Sequence, residues 1–151
     1  SLSIRSENEK EFNYTRNLYE LLIGGVLCLR PKNFFQINGF SNEYWNWGAE
    51  DDDLAYRIVA RGVCITRPRD SYALYKMSQH KESKRNSVRS QLLFSSLNRM
   101  HKDGLSNLES LKLPAINEDY LSIYTRIKVS VGKQPLDYVK KFNNTVDYLN
   151  K

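Results

Sequence analysis

The feature that most constrains the fold is a run of four consecutive acids at positions 50–53, which is followed directly by a helical pattern. Apolar residues recur at helical spacing through Leu54, Ile58 and Val59, and Arg61-Gly62 supplies a basic last turn and a stop. The acids are therefore predicted to occupy the first turn of a helix. Unpaired backbone N–H groups and the helix dipole favour ionised carboxylates there.

An aromatic loop over residues 42–49, which contains Trp45, Trp47 and Gly48, leads straight into these acids. An acidic quartet on its own most often forms a solvated first turn, because neighbouring like charges repel and gain little from burial. The indoles change this interpretation. A sugar stacks its C–H groups on an indole while its hydroxyls donate to carboxylates, so the combination predicts a carbohydrate site.

Composition describes one soluble globular domain: the chain has 151 residues, of which 40% are apolar and 26% are charged. No apolar run approaches the roughly 18 to 20 residues of a bilayer-spanning helix. The net charge of +6 is concentrated in residues 76–102, where Lys and Arg greatly outnumber the single acid, Glu82. Such a segment attracts phosphate, nucleic acid or an anionic surface, although a solvated face is the simpler interpretation.

The remaining pattern predicts a mixed α/β region in which strands and helices alternate. Strands are expected at 23–29, 63–66, 72–77 and, with the clearest period-2 alternation, 123–131. Helical segments are expected at 33–37, at 88–100 and from Pro135 onward. Residues 1–21 are interpreted as a poorly ordered lead-in. Cys28 and Cys64 lack metal-type spacing and are expected to be buried apolar residues.

Met77 and His80 come just before the basic, serine-rich stretch at 81–90 and are spaced i, i+3. A thioether and an imidazole at this spacing are both able to reach one metal ion. Taken alone, the pair more often means a core methionine beside a surface histidine. A metal there, next to the Lys/Arg-rich segment, would suit a nucleotide diphosphate.

Together these residues resemble the animal β-1,4-galactosyltransferase family, glycosyltransferase family 7. The matching blocks, in the family's order, are Ile23-Gly24-Gly25-Val26, Ile37-Asn38-Gly39-Phe40, the Trp-x-Trp-Gly-x-Glu-Asp-Asp-Asp block over 45–53, Arg67-Pro68, Met77-Ser78-Gln79-His80, Asp103-Gly104-Leu105 and Tyr124-Thr125-Arg126-Ile127. The resemblance implies the C-terminal portion of a GT-A, Rossmann-like α/β fold, a mixed sheet with flanking helices. Residues 22–132 would form the C-terminal catalytic region and residues 133–151 a helical extension.

The family's activity is the transfer of a hexose from a UDP-sugar to O4 of a terminal N-acetylglucosamine, with inversion, in the Golgi lumen. The resemblance implies that Asp51 is the general base, and that Met77 and His80 are two of the ligands of Mn²⁺. The basic loop from Ser78 to about Asn98 would be a lid that closes after donor and metal bind. The implied acceptor-binding residues are Trp47, Gly48, Glu50, Asp51, Asp52, Arg89 and Leu93. The implied donor-binding residues are Leu22, Gly25, Trp47 and His80.

Several positions depart from the family pattern. Asn46 and Ala49 stand where glycines are usual, and Ser90 replaces an aromatic residue of the acetamide pocket. Leu22-Ile23 replaces a bulky Tyr-Phe, and an aliphatic residue at position 22 leaves room for a 2-acetamido group, which favours UDP-GalNAc over UDP-Gal as donor.

The family's Asp-Val-Asp motif, which supplies a third metal ligand, and the uridine-binding strands lie before the first matching block. A membrane anchor is likewise expected only in that preceding part. Sequons at Asn13 and Asn143 are consistent with a lumenal location.

Two other classes of function stay open from the residues alone. One is a carbohydrate-binding fragment that uses the indoles and acids without turnover. The other is a nucleic-acid binder, which is disfavoured because only Phe94 interrupts the basic run with an aromatic ring. We expect no nucleic-acid partner.

Overall fold

Two clusters of buried apolar side chains organise the computed structural model, which describes residues 3–5, 19–68, 74–76, 81, 83–111 and 117–143. The first cluster surrounds the helix that begins with the four acids, and its buried members are Ile23, Ile37, Leu54, Ala55 and Ile58. The second joins the later part of the basic segment to the C-terminal helix, and its buried members are Val88, Leu92, Tyr138 and Phe142.

Helices and short strands alternate along the chain. The helices are α1 (Pro31–Gln36), α2 (Glu50–Ala60), α3 (Arg89–Phe94), α4 (Ser96–Arg99) and α5 (Tyr138–Asn143). The strands are β1 (Ser3–Arg5), β2 (Leu74–Lys76), β3 (Asn117–Tyr120) and β4 (Thr125–Lys128). β1 pairs with β2 in parallel, and β3 pairs with β4 antiparallel. No helix in the described ranges is both long and apolar enough to cross a bilayer.

The helices α1 and α2 confirm the sequence prediction. Pro31 opens α1, where a missing N–H costs nothing, and Asn38 and Gly39 follow it with positive φ. All four acids lie in the first turn of α2, and its last turn ends at Arg61 and Gly62, the latter at φ 68°.

The strand predictions at 23–29 and 63–66 are wrong, because these described residues carry no strand ladder. Their apolar side chains instead pack on the first cluster: Ile23 is buried within it, and Leu29, Val63 and Ile65 lie against it. An apolar run indicates that a segment is buried, but it does not show that the segment is a strand. Here the apolar side chains are buried against α2. Cys28 and Cys64 are exposed thiols, which corrects the expectation that they are buried.

The predicted helix over 88–100 is divided at Ser95. The Ser95 hydroxyl donates to the carbonyls of Gln91 and Leu92, at 2.9 and 3.1 Å, a local bond that competes with the helix. As a result Ser96 is fully buried and Leu97 is exposed, the reverse of the expected face.

The predicted strand over 123–131 is shorter than expected and forms no part of the core. Only Thr125–Lys128 pairs, and each of its four residues is exposed. The final helix begins at Tyr138 rather than at Pro135, because Tyr138 and Phe142 are buried while Leu136 is fully exposed. In the region read as a lead-in, Ser3–Arg5 forms β1.

Candidate functional site

A cavity of about 510 Å³ opens at the start of α2. This volume lies in the range of sites that enclose small organic ligands. Two acidic residues, Glu50 and Asp51, line the cavity together with Trp47 and several apolar residues. Its full lining is Ile23, Gly24, Gly25, Leu27, Phe40, Trp47, Gly48, Glu50, Asp51 and Leu54.

Asp51 reaches across this cavity to the backbone of Gly24. A Cβ atom built on Gly24 would lie 2.4 Å from Asp51 Oδ2, far inside van der Waals contact. A larger residue at position 24 would therefore displace the carboxylate from this position. Gly24 and Asp51 are 27 positions apart in the sequence and are in contact in the structure.

The carboxyl group of Asp51 has a raised pKa. Burial is the largest cause, followed by the charge of Asp52 and, more weakly, that of Glu50. A backbone hydrogen bond opposes the shift, since Asp51 Oδ1 accepts from the N–H of Asp52 at 3.0 Å. A carboxylate whose pKa is raised accepts a proton more readily than an exposed one, which suits a general base.

Trp47 is held by the basic segment, and the residue as a whole is 53% exposed. The backbone N–H of Trp47 donates to the carbonyl of Lys84 at 3.0 Å, and its backbone carbonyl accepts from the N–H of Asn86 at 2.8 Å. The guanidinium carbons of Arg85 and Arg89 lie 5.7 and 5.9 Å from the ring centroid. An exposed indole face thus borders the cavity next to two cations.

Glu50 and Asp52 take different positions, although both were predicted to hold acceptor hydroxyls. Glu50 lines the cavity, and its Oε2 accepts from the N–H of Gly48 at 3.0 Å. Asp52 is not among the lining residues, and its Oδ1 accepts from the hydroxyl of Tyr19 at 2.7 Å. Burial and this bond raise the pKa of Tyr19.

Three further predicted residues do not line the cavity. Arg89 covers Gly48, since a Cβ there would lie 2.8 Å from Arg89 Cδ. Leu22 is half-buried, and its carbonyl accepts from Arg67 at 3.0 Å. Leu93 is half-buried in α3. Gly25, the remaining described donor residue, lines the cavity with φ 99°.

The loop that carries Trp47 is strained. Asn46 and Ala49 have φ values of 64° and 71°, the left-handed region that L-residues other than Asn and Asp seldom enter, and Gly48 has φ 121°. The sequence showed that Asn46 and Ala49 replace glycines. The structure adds the reason a glycine would suit both positions.

The sequence indicated no separate role for Asp53. In the structure this residue is completely buried. Its carboxylate pairs with Arg57 Nε at 2.6 Å and with Arg99 Nη2 at 2.8 Å, and it accepts from the Tyr44 hydroxyl at 3.1 Å. The i, i+4 spacing of Asp53 and Arg57 was a signal for the first of these bonds, but nothing local pointed to Arg99.

The predicted metal ligands Met77 and His80 lie outside the described residues, as do residues 78, 79 and 82 at the start of the predicted lid. Within the ranges that the structure describes, no group of three or more His, Cys, Asp or Glu side chains could hold a metal ion. The manganese site therefore stays a prediction.

Comparisons with known proteins identify the family. A family model described as the N-terminal domain of galactosyltransferase matches residues 5–81. Beta-1,4-galactosyltransferase 3 of Homo sapiens is 38% identical over 120 residues, which cover 78% of this chain and 30% of that protein. Human beta-1,4-galactosyltransferase 1 is 36% identical over 115 residues, covering 76% of this chain and 29% of that protein. The chain thus spans about 30% of the length of these relatives.

A solved structure shares the fold. The catalytic domain of Drosophila beta1,4-galactosyltransferase 7, in complex with xylobiose, superposes with a TM-score of 0.50 over 84% of this chain and 55% of that chain, at 22% identity. Mixed helices and short strands are consistent with part of a GT-A fold, as expected. The chain belongs to the galactosyltransferase family that contains the β-1,4-galactosyltransferases.

Proposed function

We propose that this chain is part of an inverting glycosyltransferase, which moves galactose or N-acetylgalactosamine from a UDP-sugar to O4 of a terminal N-acetylglucosamine. The acceptor would be a glycoprotein or glycolipid glycan. The observation that carries the proposal is the meeting of Asp51 and Trp47 at one cavity, with the carboxylate over Gly24. The full-length protein would work in the Golgi lumen.

Asp51 is the general base in this proposal. It accepts the proton of the acceptor O4 hydroxyl while that oxygen attacks C1 of the donor sugar from the face opposite UDP. The C1–O bond to the diphosphate breaks as the new C1–O4 bond forms, so one displacement inverts the anomeric centre. The raised pKa of Asp51 supports this role, because partial burial makes its carboxylate more basic.

Trp47, Glu50 and Gly48 orient the acceptor in this proposal. The exposed face of Trp47 stacks on a sugar ring, and Glu50 accepts hydroxyl hydrogen bonds from inside the cavity. Asp52 and Arg89 lie one layer further out, Asp52 bonded to Tyr19 and Arg89 covering Gly48 and the indole.

Mn²⁺ is the proposed cofactor, held in part by Met77 and His80. One thioether and one imidazole fill only two positions of a shell of about six, so the diphosphate and residues beyond these two would supply the others. When bound, the ion neutralises charge on the departing diphosphate. Chelation should abolish transfer and added Mn²⁺ should restore it, whereas unchanged activity in the chelator would contradict a metal.

The test of the proposed function is transfer to an N-acetylglucosamine acceptor by the wild-type protein and by Asp51→Asn. We expect the substitution to lower kcat by about a hundredfold or more, because the base is lost while the cavity keeps its shape. Asp137→Asn, which changes an exposed acid outside the cavity, is the control. Equal kcat values for wild type and Asp51→Asn would overturn the role of Asp51.

We also propose UDP-GalNAc as the preferred donor, from the aliphatic residue at position 22. Turnover of UDP-GalNAc and UDP-Gal by the same preparation tests this directly. Leu22→Tyr adds a bulky phenol and should shift the preference toward UDP-Gal. A wild-type preference for UDP-Gal would contradict the donor assignment and leave the transferase proposal intact.

A non-catalytic carbohydrate-binding fragment is the second candidate, favoured by a complete sugar-sized cavity in a chain that spans about 30% of its relatives. It predicts that N-acetylglucosamine binds without transfer or UDP-sugar hydrolysis, even with Mn²⁺. Any transfer that depends on Asp51 excludes it.

A further inference from the structure

Four charged side chains form a closed ring beneath the first turn of α2, and we call Asp53, Arg57, Arg99 and Asp103 the charge quartet. Arg57 pairs with Asp53 at 2.6 Å and with Asp103 at 3.2 Å. Arg99 pairs with Asp53 at 2.8 Å and also contacts Asp103. Each cation therefore bridges both acids, and the net charge of the ring is zero.

The charge quartet lies almost wholly inside the protein. The side chains of Asp53 and Arg57 are 0% exposed, that of Asp103 is 5% exposed and that of Arg99 is 16% exposed. Burying ions costs several kcal/mol each, and apolar replacements of a buried ion group are often as stable or more so. Stability alone does not account for four charges here. What such a ring supplies is a fixed orientation of the segments that it joins.

Those segments include the chain that leads into the aromatic loop. Asp103 accepts from the hydroxyl of Ser41 at 2.5 Å and from the N–H of Asn42 at 2.7 Å. Arg57 donates to the carbonyl of Gly39 at 3.2 Å. Tyr44, three residues before Trp47, donates to Asp53 at 3.1 Å.

The start of α2 needs such support because its own cap is poor. Ala49 occupies the N-cap position with left-handed φ and without a side-chain cap hydrogen bond. The N–H of Asp53 donates to the carbonyl of Ala49 at 2.9 Å, which is the first backbone hydrogen bond of α2. Asp53 follows Asp51 by two residues. Holding the Asp53 carboxylate therefore fixes the turn that directs Asp51 toward Gly24.

We infer that the charge quartet, joined to the aromatic loop by the Tyr44 hydroxyl, positions Asp51 and Trp47 relative to one another at the acceptor cavity. Tyr44 and Arg99 are positioning residues, since neither lines the cavity. The inference rests on the proposed function for its kinetic consequence, but its structural consequence is independent of activity.

Tyr44→Phe is the sharpest variant, because it removes one hydroxyl and keeps the ring that lies 5.9 Å from the Arg99 guanidinium. We expect kcat for transfer to fall about tenfold and KM for the acceptor to rise about twofold or more, because the base and the indole that stacks on the acceptor are both displaced. Tyr124→Phe, in the exposed chain before β4, is the matched control and should keep wild-type kcat. A Tyr44→Phe protein with wild-type kcat would overturn the inference.

Trp47 fluorescence gives a readout that needs no turnover. In a Trp45→Phe background, Tyr44→Phe and Arg99→Lys should each change the iodide quenching constant of Trp47 by about twofold, at a temperature where all variants are folded. The control Arg126→Lys alters an exposed ion pair and should leave quenching unchanged. Unchanged quenching in both Tyr44→Phe and Arg99→Lys would contradict the inference, whereas absent transfer with altered quenching would contradict only the proposed function.

Discussion

The region around the cavity and the β3–β4 hairpin each contain an aspartate–arginine ion pair, which is buried in the first and exposed in the second. Asp53–Arg57 is 2.6 Å long with both side chains 0% exposed. Asp119–Arg126 is 2.7 Å long with the arginine 50% and the aspartate 41% exposed. Water solvates the second pair and is excluded from the first, so similar geometry implies different energies. Distance alone therefore does not show which charges organise the molecule.

Removing the arginine of each pair should give the largest difference. Arg57→Ala leaves two buried carboxylates with Arg99 as their one remaining shared cation and should lower the free energy of unfolding by about 3 to 5 kcal/mol. Arg126→Ala should cost less than about 1 kcal/mol, because water replaces the exposed partner. Urea unfolding of the two variants measures both values. Equal losses would mean that the two pairs do not differ as their burial indicates.

Adding a methyl group to a glycine of each region tests the cavity itself. Gly24→Ala should weaken N-acetylglucosamine binding about tenfold at little cost in stability, because the new Cβ lies 2.4 Å from Asp51 Oδ2 and the carboxylate must move aside. Gly132→Ala, next to the hairpin, meets no atom within 4 Å and has only its φ of 76° to resist it. It should cost about 1 kcal/mol and leave sugar binding unchanged. Calorimetric titration with N-acetylglucosamine compares them, and unaltered binding by Gly24→Ala would contradict the placement of Asp51.

Relieving the strain at Ala49 should give a gain of stability. Ala49→Gly removes a left-handed alanine and should raise the free energy of unfolding by about 1 kcal/mol. Ala60→Gly, the same substitution at the regular end of α2, should lower it by about 0.5 to 1 kcal/mol. Thermal unfolding distinguishes the signs. Losses in both variants would show that the loop does not store strain.

The charge on Asp51 should oppose folding at neutral pH. Its folded-state pKa is raised, so above that pKa the ionised carboxylate lowers the stability of the folded protein. A neutral side chain at this position does not. Asp51→Asn should therefore be more stable than wild type at pH 7, and the advantage should vanish as the pH falls below the ordinary value of about 3.9. Asp119→Asn in the hairpin should show no such gain. Unfolding at several pH values measures this, and a less stable Asp51→Asn at pH 7 would contradict the burial of the carboxylate.

The sequence predicted the parts of the molecule whose signals are local. The acids, the helical spacing after them and Arg61-Gly62 gave α2, and the block over 45–53 gave the family and the position of Trp47 beside Asp51. Apolar patterns in the sequence misled the strand predictions in two places. The apolar side chains of Ile23 and Leu29 pack on the core around α2 rather than on a neighbouring strand. The alternating residues over 123–131 face solvent on both sides.

The charge quartet was beyond local reasoning because its members come from separate segments. Arg99 and Asp103 follow Asp53 by 46 and 50 positions, and only folding brings the three side chains together. The strain at Ala49 was hidden for a related reason. The substitution of a glycine was visible in the sequence, but the left-handed φ that made the glycine suitable was not.

Trp47 fluorescence during titration with N-acetylglucosamine, in a Trp45→Phe background, tests most directly whether one cavity unites the indole with the carboxylate of Asp51. A saturable change that Asp51→Asn weakens at least about tenfold is the expected result. A Trp47 signal that does not respond to the sugar, or that responds with equal affinity in both proteins, would contradict it.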